Sequence, residues 1–243
     1  MKHNFAVVVP MANEEKDFYP FMKALIEVLN ELECGKVYFV IDKASRDNTL
    51  QLCQLLSSKD ERFITIWAPE SRNVVDAYIH GYRVAAAVEH DYIIEMDAGL
   101  SHDPNAIPKF LSKLQDGYDC VFGSRFVKGG SIIDSNWKRL FLSKVGTLLS
   151  NLMLGSKMHD MTSGFQGFRL EIVKKFLKYN LKSQAHFYQT ELRYLLRKTR
   201  FVELPITYRA PSPSVNKKSI LNSVHVLLYY SYRRLRSKPS RIK

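Results

Sequence analysis

Within the first hundred residues the chain switches repeatedly between two hydrophobic periods, and this restricts its fold more than any other feature. Short apolar runs of strand length stand at Phe5–Val9, Val37–Ile41, Phe63–Trp67 and Tyr92–Met96. Between them, stretches near residues 18–32, 49–56 and 74–88 are apolar at helical spacing, the first through Phe21, Leu25, Val28, Leu29 and Leu32. Alternating strand and helix predicts a mostly parallel sheet flanked by helices, an α/β fold whose ligand crevice lies beyond the C-terminal ends of the strands. The turns after the first, second and fourth runs carry Asn13, Glu14, Asp42 and Asp97, so three loops deliver acid or amide groups to that one edge.

Asp97 is the most informative of these. It ends the run Tyr92–Met96, and Gly99 and Pro104 behind it mark a loop. An Asp can also end a strand by bonding its own backbone, and Glu14 and Asp42 can serve as helix caps, so position alone leaves both readings open. The rhythm changes after residue 104. A strand-like Asp119–Phe122 leads into the glycine-rich loop Gly123–Gly130 with Arg125 and Lys128. A helix over 136–154 carries Trp137, Leu140, Phe141, Val145, Leu148, Leu149 and Leu152 among Lys138, Arg139 and Lys144. Asp160–Phe165 reads as a polar turn, Phe201–Ile206 as a late strand, and 219–235 as a tyrosine-rich, half-apolar helix. In the tail Arg233–Lys243, six of eleven residues are Lys or Arg.

Composition limits the partners. A chain of 243 residues, 46% hydrophobic and 25% charged, has the makings of one full globular core. The net charge of +12 points to an anionic partner, whether phosphorylated small molecules, an acidic membrane surface or nucleic acid. No recognition-helix or aromatic RNA-binding motif accompanies the charge, so nucleic acid is not expected. Cys34, Cys53 and Cys120 lack ligand-like spacing, which speaks against a disulfide framework or zinc and for a reducing cytosol. His80, His90, His102, His159 and His186 form no metal-spaced cluster, and only His102 lies near the active edge. Neither a targeting segment in Met1–Met11 nor a run of about 20 apolar residues is expected to insert in a bilayer.

Six segments together carry a family resemblance: Val9–Glu15, Ile41–Thr49, Glu95–Pro104, Gly123–Gly130, Asp160–Phe165 and Leu204–Tyr208. In order and approximate spacing they resemble family 2 glycosyltransferases, and most closely the dolichol-phosphate and polyprenyl-phosphate mannosyltransferase branch. The resemblance covers residues 5 to about 220 and implies the GT-A fold: a glycosyltransferase domain over 1–215, with a nucleotide-binding half to about 104 and an acceptor half after it. Residues 216–243 follow as a C-terminal amphipathic helix and basic tail.

The resemblance implies a nucleotide-sugar donor held by Pro10, Ala12, Asn13, Glu14, Ile41, Asp42, Asp97, Ala98 and Gly99. Carboxylates suit such a site because they accept hydrogen bonds from ribose hydroxyls and base N–H groups. It implies Mg²⁺ or Mn²⁺ on Asp97, a hard cation on oxygen ligands that offsets charge on the departing diphosphate. Gly99 stands where the family's metal motif has a second Asp, with Ser101 and Asp103 close by in sequence. Lys43 follows Asp42 where paired acids are common; an ammonium cannot accept a hydrogen bond from a base, though it can reach a phosphate.

On the acceptor side the resemblance implies that Arg125, with Ser124 and Arg139, binds the phosphate of a lipid carrier, a task suited to the planar guanidinium fork. Asp97 and Arg125 are thereby the catalytic residues. Arg209, Lys217 and Lys218 match, more loosely, a loop that closes over the donor. A phosphate acceptor is anionic near neutral pH and needs no general base, so a single inverting displacement is implied. A sugar-hydroxyl acceptor, as in a transferase that extends a lipid-linked or surface glycan, would need a base, with Asp160 or Asp103 as candidates. Gly99 and Lys43 together also fit a member that binds nucleotide sugar without turnover. The helices at 136–154 and 219–235 mix apolar stripes with Lys and Arg, as interfacial helices do, and the basic tail adds attraction to an anionic leaflet; their stripes can equally be core and the tail a solvated end. The expected setting is the cytoplasm, peripheral at the inner face of the cell membrane in cell-envelope glycan synthesis, with a membrane-protein partner or a second copy as further partners.

Overall fold

The computed structural model describes residues 4–134, 137–209 and 217–242, with the side chains of Lys138 and Arg139 outside that description. The first half follows the alternation read from the sequence: β1 Phe5–Met11, α1 Phe18–Glu31, β2 Gly35–Ile41, α2 Thr49–Lys59, β3 Phe63–Trp67, α3 Val74–Ala87 and β4 Tyr92–Glu95. A short 3₁₀ turn at Pro104–Ala106 then opens α4 Ile107–Gln115. Next come β5 Cys120–Ser124, β6 Ser131–Ile133, α5 Trp137–Leu154, β7 Gln166–Arg169 and α6 Leu170–Leu177. The last elements are α7 Phe187–Leu196, β8 Phe201–Pro205, β9 Thr207–Arg209 and α8 Lys217–Leu235.

Among the described residues, seven strands form one sheet in the order β3-β2-β1-β4-β7-β5-β8. Every pairing in it is parallel except those of β7, which runs antiparallel to both neighbours, β4 and β5. Of the parallel half, β1, β2 and β4 are buried on both faces, and each alternates between them. Phe5, Val7 and Val9 face a core made with α1, α2 and α4; Ala6 and Val8 face one made with α3, α6, α7 and α8. Helix α3 comes close enough to the sheet that a Cβ at Gly81 would sit 2.4 Å from Cγ1 of Val8. Its start is fixed by Asn73, whose side chain accepts hydrogen bonds from the N–H groups of Val75 and Asp76.

Outside the main sheet, β6 and β9 pair as a small parallel ribbon, and His102 bridges to Tyr208 of β9. The ribbon thereby reaches the loop that follows β4. Helix α8 lies against α5 and α7: Val226 and Tyr230 are buried, Tyr230 donates to Glu191, and Arg234 donates to the carbonyls of Leu152 and Met153 at the end of α5. The basic tail folds back, with Ile242 N–H on the Leu195 carbonyl and Arg233 on Ser240. Ser240 and Ile242 are buried by these contacts, while Arg234–Pro239 and Arg241 stay exposed. Along α5 the apolar stripe faces out, with Trp137 72% and Leu152 71% exposed, so this stripe is not ordinary core. No helix among the described residues is long and apolar enough to cross a membrane.

Candidate active site

Parallel register places the ends of β1, β2 and β4 side by side, since Met11 pairs with Ile41 and Val8 with Glu95. The loops beyond them are tied together by side chains. Asn13, in the left-handed region at φ 60°, donates through Nδ2 to the Ala44 carbonyl and accepts from Arg46 N–H. Glu14 N–H donates to the Thr49 hydroxyl, Glu15 N–H to Asp47, and Glu15 in turn accepts from Asn48. Asp42 turns its own loop by accepting from Ala44 N–H at 2.7 Å. At the start of α2 the capping contact comes from Asp47, which accepts from Thr49 N–H, and Asn48 makes no side-chain cap bond. Pro10, Ala12, Asn13, Glu14, Ile41, Asp42, Asp97, Ala98 and Gly99 are thus gathered on one edge. Lys43 is exposed there.

Asp97 is held from two sides. Its Oδ1 accepts the Tyr78 hydroxyl of α3 at 2.5 Å, and its backbone N–H donates to Nδ1 of His102 at 3.0 Å. Because Nδ1 accepts, the neutral imidazole carries its proton on Nε2, which lies 3.8 Å from Oδ2 of Asp97 and has no hydrogen-bond partner. Burial keeps His102 neutral by lowering its pKa, and the ring is stacked on Phe165 at 4.9 Å with Tyr208 tilted against it at 5.3 Å. One strand turn deeper, Glu95 is wholly buried under the loop and accepts from Tyr82 and Gln189 at 2.6 and 2.8 Å. Burial pushes its pKa up to about 7 against the pull of those donors.

Glu14 behaves differently. Its carboxylate leans over Gly99 and has no hydrogen-bond donor among the described residues. A Cβ added at Gly99 would lie 2.6 Å from its Oε2. Burial, then the neighbouring Asp17, Asp97 and Asp47, raise its pKa to about 7. Among the described residues no group of three or more His, Cys, Asp or Glu side chains is arranged to hold a metal unaided. The oxygen set nevertheless fits a hard divalent cation shared with a diphosphate, because Mg²⁺ sites typically combine one or two carboxylates with phosphate oxygens and water. Asp97 would be the protein ligand implied by the resemblance, and such an ion would supply charge neutralisation of a leaving diphosphate.

The side on which the resemblance places the acceptor is closed on itself. Arg125, its side chain 5% exposed, grips Asp160 through Nε and Nη2 at 2.7 and 2.8 Å, adds the Thr162 hydroxyl at 2.6 Å, and donates its backbone N–H to the same carboxylate. Burial acts to raise the pKa of Asp160, but the hydrogen bonds and charge of Arg125, with the charge of Arg193, outweigh it and hold the pKa at about 2. Asp160 is therefore not the free base that a hydroxyl acceptor would require. Asp103 is also engaged, accepting from Asn105 N–H to cap the 3₁₀ turn. Arg193 is wholly buried and donates to the carbonyls of Asp160, Gly123 and Ser163. Ser124 is buried at the end of β5.

The two sides meet through aromatic rings: Tyr208 lies 5.5 Å from the Arg125 guanidinium carbon on one side and against His102 on the other. Arg209 joins this region, its N–H on the Ser101 carbonyl and its guanidinium 3.8 Å from Asp134. Lys217 and Lys218 are exposed in the first turn of α8. The side chain of Arg139 lies outside the described residues. Tyr78 and Arg193 escaped the sequence reading, because helix residues 19 positions before Asp97 and 33 after Asp160 leave no local signal; Glu95 and Tyr208 stood in it only as ends of two of the six segments, with no role assigned.

Comparison with known proteins agrees with this architecture. The model of the family described as "Glycosyl transferase family 2" matches residues 6–177. The chain belongs to glycosyltransferase family 2. A polyprenol monophosphomannose synthase of Mycolicibacterium smegmatis is 30% identical over 217 residues, 88% of this chain and 80% of that protein. An undecaprenyl-phosphate mannosyltransferase of Micrococcus luteus is 27% identical over 83% of this chain and 82% of its own length. Among solved structures, a glucosyl-3-phosphoglycerate synthase from Mycobacterium tuberculosis in complex with uridine diphosphate superposes with a TM-score of 0.68 over 95% of this chain and 80% of that one, at 16% identity. The same enzyme with Mn²⁺, uridine diphosphate and phosphoglyceric acid gives 0.63 over 99% and 80%, also at 16% identity. The fold of this glycosyltransferase is therefore GT-A, as the six sequence segments implied.

Proposed function

We propose that this family 2 glycosyltransferase transfers a hexose, of the mannose type, from a nucleotide sugar to the phosphate of a polyprenyl carrier in one inverting displacement. The commitment of Asp160 to Arg125 carries this reading. Of the two acids that could deprotonate a hydroxyl acceptor, one is a buried ion pair and the other a turn cap. A phosphate monoester, with its second pKa of about 6, arrives already nucleophilic and needs neither. The names of the two relatives above, one a polyprenol monophosphomannose synthase and the other an undecaprenyl-phosphate mannosyltransferase, support the same acceptor class.

On this reading the loops after β1, β2 and β4 hold the donor, with Asp97 the residue closest to the chemistry. Tyr78 fixes the Asp97 carboxylate and His102 its backbone N–H, and preorganised polar groups of this kind do most of the catalytic work in charge-separating reactions. Ser124 and Arg125 mark the floor of the acceptor edge, with Arg139 of α5 as the further phosphate-binding residue and Arg209, Lys217 and Lys218 as the residues of a loop that closes over the donor. The fork of Arg125 is already engaged by Asp160, so its first role is to fix that floor.

A lipid acceptor also accounts for the outward apolar residues of α5 and α8. Trp137, Phe141, Leu148 and Leu152 on one, with Leu221, Leu228 and Leu235 on the other, are exposed on two helices that pack together beside Arg233, Arg234 and Arg236. Such a face suits the headgroup region of an anionic leaflet, with each basic residue worth roughly 1 kcal/mol there. The setting proposed is the cytoplasmic face of the membrane.

The test is turnover. Purified protein is given a panel of nucleotide sugars and Mg²⁺ or Mn²⁺, with and without a short polyprenyl phosphate, and diphosphate release and glycolipid are followed. Release from one donor that depends on the lipid phosphate, and disappears in Asp97→Ala, is the expected result. Donor binding without turnover on any lipid phosphate would overturn the reading.

A further inference from the structure

We propose that Glu14, on the loop after β1, supplies the second carboxylate of a divalent-cation site whose first is Asp97, in the space that a side chain at position 99 would otherwise fill. The inference rests on the donor reading above and sharpens it: Glu14 meets the diphosphate end of the donor, through the cation, and not the nucleoside.

Three observations converge on Glu14. The first is steric. Gly99 sits in the left-handed region at φ +67°, and its missing Cβ leaves the gap into which Glu14 projects, with Oε2 2.6 Å from where that Cβ would be. Gly99 and Glu14 thus fit each other, and a carboxylate is present near position 99 although the residue itself has no side chain.

The second is electrostatic. The carboxylate of Glu14 accepts no hydrogen bond among the described residues, and the charged groups acting on it are Asp17, Asp97 and Asp47, all acidic. Partly buried carboxylates are ordinarily paired or hydrogen-bonded, so one with no donor of its own and only acidic charges acting on it calls for a cation. The third is His102, wholly buried, whose Nε2 finds no partner and points toward Oδ2 of Asp97 from 3.8 Å. That N–H is placed to hold an anionic oxygen, of Asp97 or of a phosphate, while the carboxylate's other face is turned to the cation. The resulting set is Glu14, Asp97 and the donor diphosphate, an all-oxygen shell suited to Mn²⁺ or Mg²⁺.

The probe is Mn²⁺, titrated into the full chain with uridine or guanosine diphosphate and read from the electron paramagnetic resonance of the free ion. In parallel, diphosphate binding is measured in EDTA and in Mn²⁺. Wild type binds one Mn²⁺ with one of the diphosphates. Glu14→Gln, which keeps the shape of the side chain, weakens it by about 100-fold or more, at or beyond the most that loss of an outer-sphere partner typically costs. Its diphosphate affinity in EDTA is unchanged. Gly99→Ala, which removes no ligand, also weakens Mn²⁺ because its Cβ displaces Glu14. Glu14→Ala combined with Gly99→Asp regains the affinity that Glu14→Ala loses.

Mn²⁺ affinity within twofold of wild type in a folded Glu14→Gln overturns the proposal. So does a loss of diphosphate binding that is the same in EDTA as in Mn²⁺, which would assign Glu14 to the nucleoside. A wild type that binds no Mn²⁺ with either nucleotide overturns it as well. If that protein still transfers sugar to polyprenyl phosphate in EDTA, the functional reading stands without the cation site.

Discussion

Two carboxylates, Glu14 on the donor edge and Asp160 on the acceptor edge, are shielded from water to different effect. Asp160 has two hydrogen bonds from the guanidinium of Arg125 and another from its backbone N–H, and its pKa falls to about 2. Glu14 is partly buried and the charged groups acting on it are all acids, so its pKa rises to about 7. Burial pushes both upward; what separates them is whether the chain provides the counter-charge. The acceptor edge is complete in itself and belongs to the scaffold. The donor edge is electrostatically incomplete, the condition expected where a ligand brings the missing charge.

The largest effect should come from breaking the complete side. Asp160→Ala leaves Arg125 buried without its partner and is expected to cost about 3–5 kcal/mol of stability, measured by urea unfolding. An unchanged midpoint would mean that the pair is not structural. On the incomplete side, Asp97→Ala should leave the melting temperature near wild type while turnover drops about 10²- to 10³-fold, the scale of losing one preorganised electrostatic group. Tyr78→Phe removes the hydroxyl on Oδ1 of Asp97, a hydrogen bond to a charged group worth about 1.5–3 kcal/mol, so a tenfold or larger loss of kcat with the fold intact is expected.

The smallest and sharpest test is the pH dependence of stability, because the two acids should act with opposite sign. Asp160, lowered from 3.8, contributes about 2 kcal/mol that is fully present above pH 4 and is lost as pH falls through about 2. Glu14, raised from 4.5 to about 7, costs nothing below pH 4.5 and exacts its full cost above pH 7. Discounted for its partial exposure, that cost is about 1 kcal/mol. Glu14→Gln should therefore stabilise the metal-free protein at pH 8 and leave it unchanged at pH 4, in thermal melts at both values. Equal melting shifts at the two pH values would remove the electrostatic distinction between the edges.

Much of the donor edge was legible in the sequence, since it depends on local pattern. Runs such as Phe5–Val9 and Val37–Ile41 are apolar throughout because both faces of a central parallel strand are buried, and the loop positions after them follow from chain order. The acceptor edge was less legible. Strand β7 is only Gln166–Arg169 and enters antiparallel between β4 and β5, a placement that no periodicity of four residues can announce. Asp160 read as a candidate base because its pairing with Arg125 spans 35 positions of sequence. The gap at Gly99 was visible as a missing carboxylate; that Glu14 leans into it depends on how two loops meet in space.

The most direct measurement compares acceptors. With the productive nucleotide sugar and Mg²⁺, diphosphate release is followed with polyprenyl phosphate and with the corresponding polyprenol, which presents a hydroxyl and no phosphate. The account predicts turnover with the phosphate and none above background with the alcohol. Equal rates on both, or transfer only to a hydroxyl, would contradict it and require a base that Asp160, locked on Arg125, does not provide.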